Sequence, residues 1–140
     1  MQVALSLPRE MSMPDPIDRD VRAPTVQTGI WIEEHGWRVV ARNVKIGVRD
    51  EIDIVAIDPG PPLELVCVEV RSARSAKFGG PEERVDRRKV GNLYRAARAF
   101  IRSQQAHELG VGALKVRVDL VVVDLRDKPR LRHLRGLEPA

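Results

Sequence analysis

Asp53 and Glu69 lie on two segments that should form one β-hairpin. Residues 51–57 read EIDIVAI, and residues 63–72 read LELVCVEVRS. Polarity that alternates with a period of two marks a strand. The Asp58-Pro59-Gly60-Pro61-Pro62 stretch between them is turn chemistry. A loop centred on Gly60/Pro61 allows two registers. One of them sets Asp53 opposite Glu69 and Glu51 opposite Arg71, gathering all four on one face. Ile52, Ile54, Ala56, Val66, Val68 and Val70 then share the other, wholly apolar face. The second register mixes the two sets, and a slip of one residue is disfavoured wherever a face is buried.

Directly facing residues have Cβ atoms only ~5 Å apart. Two carboxylates at that separation repel, and a divalent cation between them reverses the repulsion. Mg²⁺ commonly takes one or two protein carboxylates and keeps several waters. Such an ion can polarise a phosphodiester and acidify a water. Arg71 places a cation two residues from Glu69, where it can steady phosphoryl charge. On a plainer view the same residues are a solvated sheet end, with Glu51–Arg71 an ordinary ion pair worth ~0–1 kcal/mol. The facing acids are what that view explains least well.

A second feature follows along the chain. Residues 71–102 hold ten bases and three acids, a net +7 against +4 for the whole chain. Arg74 and Lys77 fall in a loop that ends in Phe78-Gly79-Gly80. From Pro81 to about Gln105 the sequence predicts a helix, with Val85, Leu93, Ala96, Ala97, Phe100 and Ile101 as its apolar stripe. Arg84, Arg88, Arg95, Arg98 and Arg102 fall mostly opposite that stripe, a cationic ridge ~27 Å long. Nineteen of the 24 basic residues are Arg, whose planar fork matches phosphate. With so few acids nearby, the ridge points to nucleic-acid contact; an Arg-rich solvated helix face is the alternative. Trp31 and Trp37 read as packing residues, not base-stacking platforms.

The chain is 140 residues long, 43% apolar and 31% charged, which suits one globular domain. No run of about 18 apolar residues predicts a membrane helix, and no signal-peptide pattern opens the chain. Cys67 is the only cysteine, and His35, His107 and His133 are scattered, so no zinc-ligand spacing occurs. A reducing cytoplasm is the expected compartment.

The elements that must carry these residues follow in order. Residues 1–24, broken by four prolines, read as a disordered tail, and residues 25–140 as the domain. A helix runs from Thr25 to about His35, ended by Gly36. Strands are expected at 37–46, 51–57, 63–72 and 115–125, with an edge strand at 130–135. The order is α-β-β-β-α-β-β, an α/β fold with a mixed central sheet flanked by helices. A βαβ repeat is absent, which argues against a doubly wound nucleotide-binding fold.

Several stretches taken together resemble the YraN-like family of bacterial proteins, from about Thr25 to Gly136. They are residues 36–43 (GWRVVARN), 50–56 (DEIDIVA), 68–71 (VEVR), 78–83 (FGGPEE), 85–93 and 117–121 (RVDLV). The resemblance implies a restriction-endonuclease-like fold related to Holliday-junction resolvases. It implies metal ligands at Asp53 and Glu69, with Mg²⁺ or Mn²⁺ as the cofactor, and the catalytic-lysine position at residue 71. Three departures stand out. Arg71 replaces the family's lysine; it keeps the charge but cannot transfer a proton. Pro24-Thr25 falls where the first helix usually begins Gly-Glu, so that acid is missing, with Gln27 or a glutamate of the tail as substitutes. The usual Arg-Gly-Glu-Ile-Asp has become Arg49-Asp50-Glu51-Ile52-Asp53.

The resulting expectation is a nucleic-acid-binding protein of nuclease-like fold, with DNA the favoured partner and weak metal-dependent endonuclease activity. The alternative is a catalytically inactive binding or assembly module that uses the Arg-rich helix. A third is a structural protein whose hairpin acids only pair with arginines. No membrane partner is expected. A resolvase-like role would call for a two-fold homodimer on a two-fold junction.

Overall fold

The computed structural model describes residues 10–12, 23–73, 87–124 and 130–138. Helix α1 (Ala23–Glu34) is followed by strands β2 (Arg38–Ile46), β3 (Asp50–Asp58) and β4 (Glu64–Ala73). Helices α2 (Arg87–Ile101) and α3 (Gln104–Leu109) then lead to strands β5 (Lys115–Asp124) and β6 (Arg130–Leu134). A three-residue strand, β1 (Glu10–Ser12), lies in the segment read as tail and pairs with β6. The sheet order is β1-β6-β5-β4-β3-β2, with β4 and β5 parallel and every other pair antiparallel. Leaving aside short β1 and α3, the α-β-β-β-α-β-β order is the expected one. The parallel pair is the one whose connection carries α2 and α3, since parallel neighbours need a long crossover.

Two apolar clusters cover the two faces of the sheet. Trp31, Ile32 and Trp37 pack with Ile54, Ala56, Val66, Val68, Val121 and Val123 on the α1 side. Leu93, Ala96, Ala97 and Phe100 of α2 pack with Val55, Leu65, Cys67 and Val118 on the other. Both tryptophans are therefore core residues. Burial drives the Cys67 thiol up to about 12, with the nearby Asp119 charge adding to the effect, so it is a packing group and not a nucleophile.

The helix boundaries differ from the sequence expectation. α1 begins at Ala23, with Pro24 in its first turn, where a proline loses nothing. Its end agrees: Gly36 takes φ 90°. The single helix expected to reach Gln105 is broken at Ser103, which is extended at φ −78° and ψ 161°. Its hydroxyl donates to the Phe100 carbonyl at 2.5 Å and accepts from the Ala106 amide at 3.1 Å. Serine thus closes one helix and caps the next, a local competition that helix periodicity does not register.

At the turn end of the β3–β4 hairpin lies a buried charge network. Asp58 faces Glu64 across the strands. Arg117 on β5 reaches both, at 3.0 Å from Asp58 Oδ2 and 2.8 Å from Glu64 Oε1. It also donates two bonds to Asp119, at 3.0 and 3.1 Å. His133 Nε2 lies 2.7 Å from Asp119 Oδ2, and the Gly60 and Gly136 amides donate to Asp58 and Asp119. Arg117 also stacks on Trp37, 5.2 Å from the ring centre. Burial opposes the Arg117 charge, yet the hydrogen bonds and charges of Asp119 and Asp58 raise its pKa further. Burial likewise opposes the Asp119 charge, but His133 and Arg117 together hold that carboxyl below its ordinary range.

Candidate functional site

The hairpin register is the one chosen from sequence. Ile54 pairs with Val68, Val55 with Cys67 and Ala56 with Val66, which carries Asp53 toward Glu69. The regular ladder stops at Ile54–Val68. Beyond it the Val70 amide donates to Asp53 Oδ2 at 2.8 Å, so a side chain takes over from the backbone where the strands part. On the other flank, pairing skips Asn43 and Asp53, and Asn43 has φ 51°. The local irregularity corrects one expectation: Ile52 joins the cluster on the α2 side, not the face of Ile54.

Asp53 and Glu69 line one open cleft of about 610 Å³ between the strand ends and α2. Arg49, in the turn before β3, and Glu51 on β3 line one side, and Arg88, Lys89 and Asn92 of α2 the other. Burial is the main influence on Asp53, whose pKa is pushed up to about 6. The Val70 amide works against this, while the charges of Glu69 and Glu51 reinforce it and Lys89 offsets part. Glu69 is 8% exposed and carries two cations on Oε2: Lys89 Nζ at 2.8 Å and Arg71 Nε at 3.9 Å.

The structure thus brings Asp53 and Glu69 together and puts Arg71 beside them, though not in the lining of the cleft. Of the ridge, Arg88 reaches the cleft, and Arg95, Arg98 and Arg102 stand exposed farther along. Arg98 lies over the Tyr94 ring at 5.6 Å, and Arg95 donates to the Asn92 side chain. Arg74, Lys77 and Arg84 lie outside the described residues, as do Pro81 and the 78–80 loop. Neither Thr25 nor Gln27 lines the cleft; Gln27 is buried on α1 with its Oε1 unpartnered. Among the described residues, no group of three or more His, Cys, Asp or Glu side chains is arranged to hold a metal ion.

Sequence reading missed Lys89. The signal was present, because Leu93 and Ala96 follow it by four and seven residues. That spacing puts Lys89 at the end of the core-facing stripe and off the arginine ridge. A lysine on that stripe has to meet something on the sheet, and the acidic strand ends are what it meets.

The hard carboxylate oxygens of Asp53 and Glu69 suit Mg²⁺ or Mn²⁺, with water completing the shell. Asp53, pressed toward neutrality by burial and by its acidic neighbours, is a carboxylate that a cation would relieve. α2 carries five bases and no acid over Arg87–Ile101, so a polyanion entering the cleft can continue along it. No helix among the described residues is long and apolar enough to cross a membrane.

A family model described as "Uncharacterised protein family UPF0102" matches residues 27–123. A UPF0102 protein of Arthrobacter sp. (strain FB24) is 38% identical over 107 residues, covering 76% of this chain and 85% of the relative. One from Beutenbergia cavernae is 39% identical over 112 residues, covering 78% and 86%. One from Solibacter usitatus is 37% identical over 107 residues, covering 76% and 75%. The matched span runs from within α1 to within β5 and includes both cleft carboxylates, Lys89, and Asp58, Glu64, Arg117 and Asp119 of the buried network, and on this ground the chain belongs to the UPF0102 family.

Proposed function

We propose that this protein binds nucleic acid along α2 and cleaves a phosphodiester, with a divalent cation held by Asp53 and Glu69. The observation that carries the proposal is the convergence of those two carboxylates in an open cleft whose other wall is an acid-free, arginine-bearing helix. A bound Mg²⁺ or Mn²⁺ would supply Lewis acidity toward a phosphoryl oxygen and would acidify a water. The chain's own residues do the rest. Asp53 is fixed by the Val70 amide, and Glu69 is held by Lys89 and Arg71. Arg88 and the ridge beyond it seat the backbone of the substrate by neutralising phosphates.

The test is incubation with branched, nicked and single-stranded DNA, with Mg²⁺ or Mn²⁺, under conditions where DNA binds. Cleavage by the wild type that disappears in Asp53→Asn supports the proposal. No cleavage by the wild type or by Arg71→Lys removes its catalytic half. A second reading, a binding module without catalysis, is favoured by α1, which has no acid in its first turn and a buried Gln27 that stays out of the cleft. Binding lost in Arg95→Ala/Arg98→Ala but kept in Asp53→Ala, with no cleavage, would select it.

A further inference from the structure

The family resemblance implies an ammonium at residue 71, but among the described residues the cation nearest Glu69 comes from another element. Lys89 Nζ lies 2.8 Å from Glu69 Oε2, and Arg71 Nε lies 3.9 Å from the same oxygen. Lys89 lines the cleft and Arg71 does not. Glu69 is 10% exposed at its side chain and Lys89 49%. The ammonium therefore stands at the mouth, between a nearly buried carboxylate and solvent.

We infer that Lys89 is the positioning cation of this site and serves in place of residue 71. The inference rests on the cleft being a phosphodiester site, and it names a working residue on α2 and not on β4. An ammonium is a compact charge with three rotatable donors. Its Nζ holds Glu69 from the cleft lining, where its charge would meet an incoming phosphate. A guanidinium fork at residue 71, farther from the same oxygen and outside the cleft lining, does not offer that geometry. In the metal-free protein Lys89 is also the counter-ion with which a divalent cation on Glu69 must compete.

Mn²⁺ binding followed by electron paramagnetic resonance tests this on the full chain, comparing wild type, Lys89→Met, Lys89→Arg and Arg71→Met, each checked for folding by circular dichroism. Lys89→Met should tighten Mn²⁺ about fivefold, matching ~1 kcal/mol for a half-exposed competing charge. At saturating Mn²⁺ it should nevertheless lower cleavage of branched DNA about a hundredfold. Lys89→Arg should restore part of that activity, and Arg71→Met should move both quantities less. A merely structural lysine would not shift affinity and turnover in opposite directions. Unchanged Mn²⁺ affinity in Lys89→Met, or a larger effect from Arg71→Met, overturns the assignment and leaves the Asp53–Glu69 site standing. No Mn²⁺ binding by any of the four proteins overturns both. Should the wild type bind Mn²⁺ but cleave nothing, the affinity comparison alone decides by the same criterion.

Discussion

The β3–β4 hairpin carries an acidic pair at each end, and the two ends have opposite characters. At the turn, Asp58 and Glu64 face each other and are gripped by Arg117, with Asp58, Arg117 and Asp119 buried and Glu64 mostly so. At the open end, Asp53 and Glu69 share a cleft, the nearest cation to Glu69 among the described residues is a half-exposed lysine with Arg71 farther off, and Asp53 is pushed up to about 6. Facing carboxylates alone therefore do not mark a metal site, because Arg117, with Arg135 also on Asp58, compensates one such pair. What sets the second pair apart is incomplete compensation combined with access. A closed network gives conformational specificity; an open, under-neutralised one leaves room for a ligand.

The largest effect should come from the closed end. Arg117→Met removes the cation shared by Asp58, Glu64 and Asp119, leaving Asp58 to Arg135 at 3.4 Å and Asp119 to His133 at 2.7 Å, and breaking one side of a buried network typically destabilises by about 3–5 kcal/mol. Urea unfolding at pH 7 measures it. Arg117→Lys should restore only part of the loss, since one ammonium cannot meet Asp58, Glu64 and Asp119 together. Near-wild-type stability of Arg117→Met would erase the contrast between the two ends.

Acid should act on the two ends with opposite sign. The folded pKa of Asp53 is raised, so folding takes up a proton there, and stability from this group grows as pH falls from about 6 toward 3.8. Asp119 is lowered, so its contribution is present above 3.8 and is lost as pH falls further. Metal-free wild type should therefore gain about 1–2 kcal/mol relative to Asp53→Asn between pH 7 and pH 4.5, after allowance for partial solvent screening. Both proteins should then lose stability below about pH 4. Denaturant melts across that range check both limbs, and parallel curves would remove the distinction at Asp53.

Much of this was legible in the residues. Period-two alternation placed β3 and β4, and parity chose the register that brings Asp53 to Glu69. The apolar stripe of α2 was also visible. Three things were not. Ser103 splits the second helix through one hydroxyl, an effect smaller than the apolar period around it. Ile52 packs on the face away from Ile54, beside a stretch where pairing skips Asp53 and Asn43 takes φ 51°, and alternation cannot anticipate such an irregularity. The Arg117 network joins residues 58, 64, 117, 119 and 133, whose proximity exists only once β5 lies parallel to β4. Lys89 lies between these cases: its spacing put it on the core-facing stripe, but only the structure shows the acid it reaches.

The ridge should matter less than the cleft for chemistry and more for affinity. Replacing Arg95 and Arg98 by alanine should weaken duplex DNA binding about tenfold near physiological salt and flatten the log–log salt slope by about two. Asp53→Ala should leave both unchanged or slightly tighten binding, because it removes a negative charge beside the phosphates. Fluorescence anisotropy at several salt concentrations separates the outcomes. A fall in affinity with no change in slope would mean that these arginines act through the fold and not on phosphate.

The smallest effect should be on stability at Lys89. Its ion pair with Glu69 is short, but the lysine is half exposed, and such pairs contribute about 0.2–1 kcal/mol. Lys89→Met should therefore shift the urea midpoint only slightly, even though the distance to its carboxylate equals that of Arg117 to Glu64. Equal distances with unequal energies follow from desolvation: Arg117 sits where water cannot replace it, and Lys89 sits where water can. A loss at Lys89 approaching that of Arg117 would make the open end as structural as the closed one. It would leave the cleft without a cation that a ligand could displace.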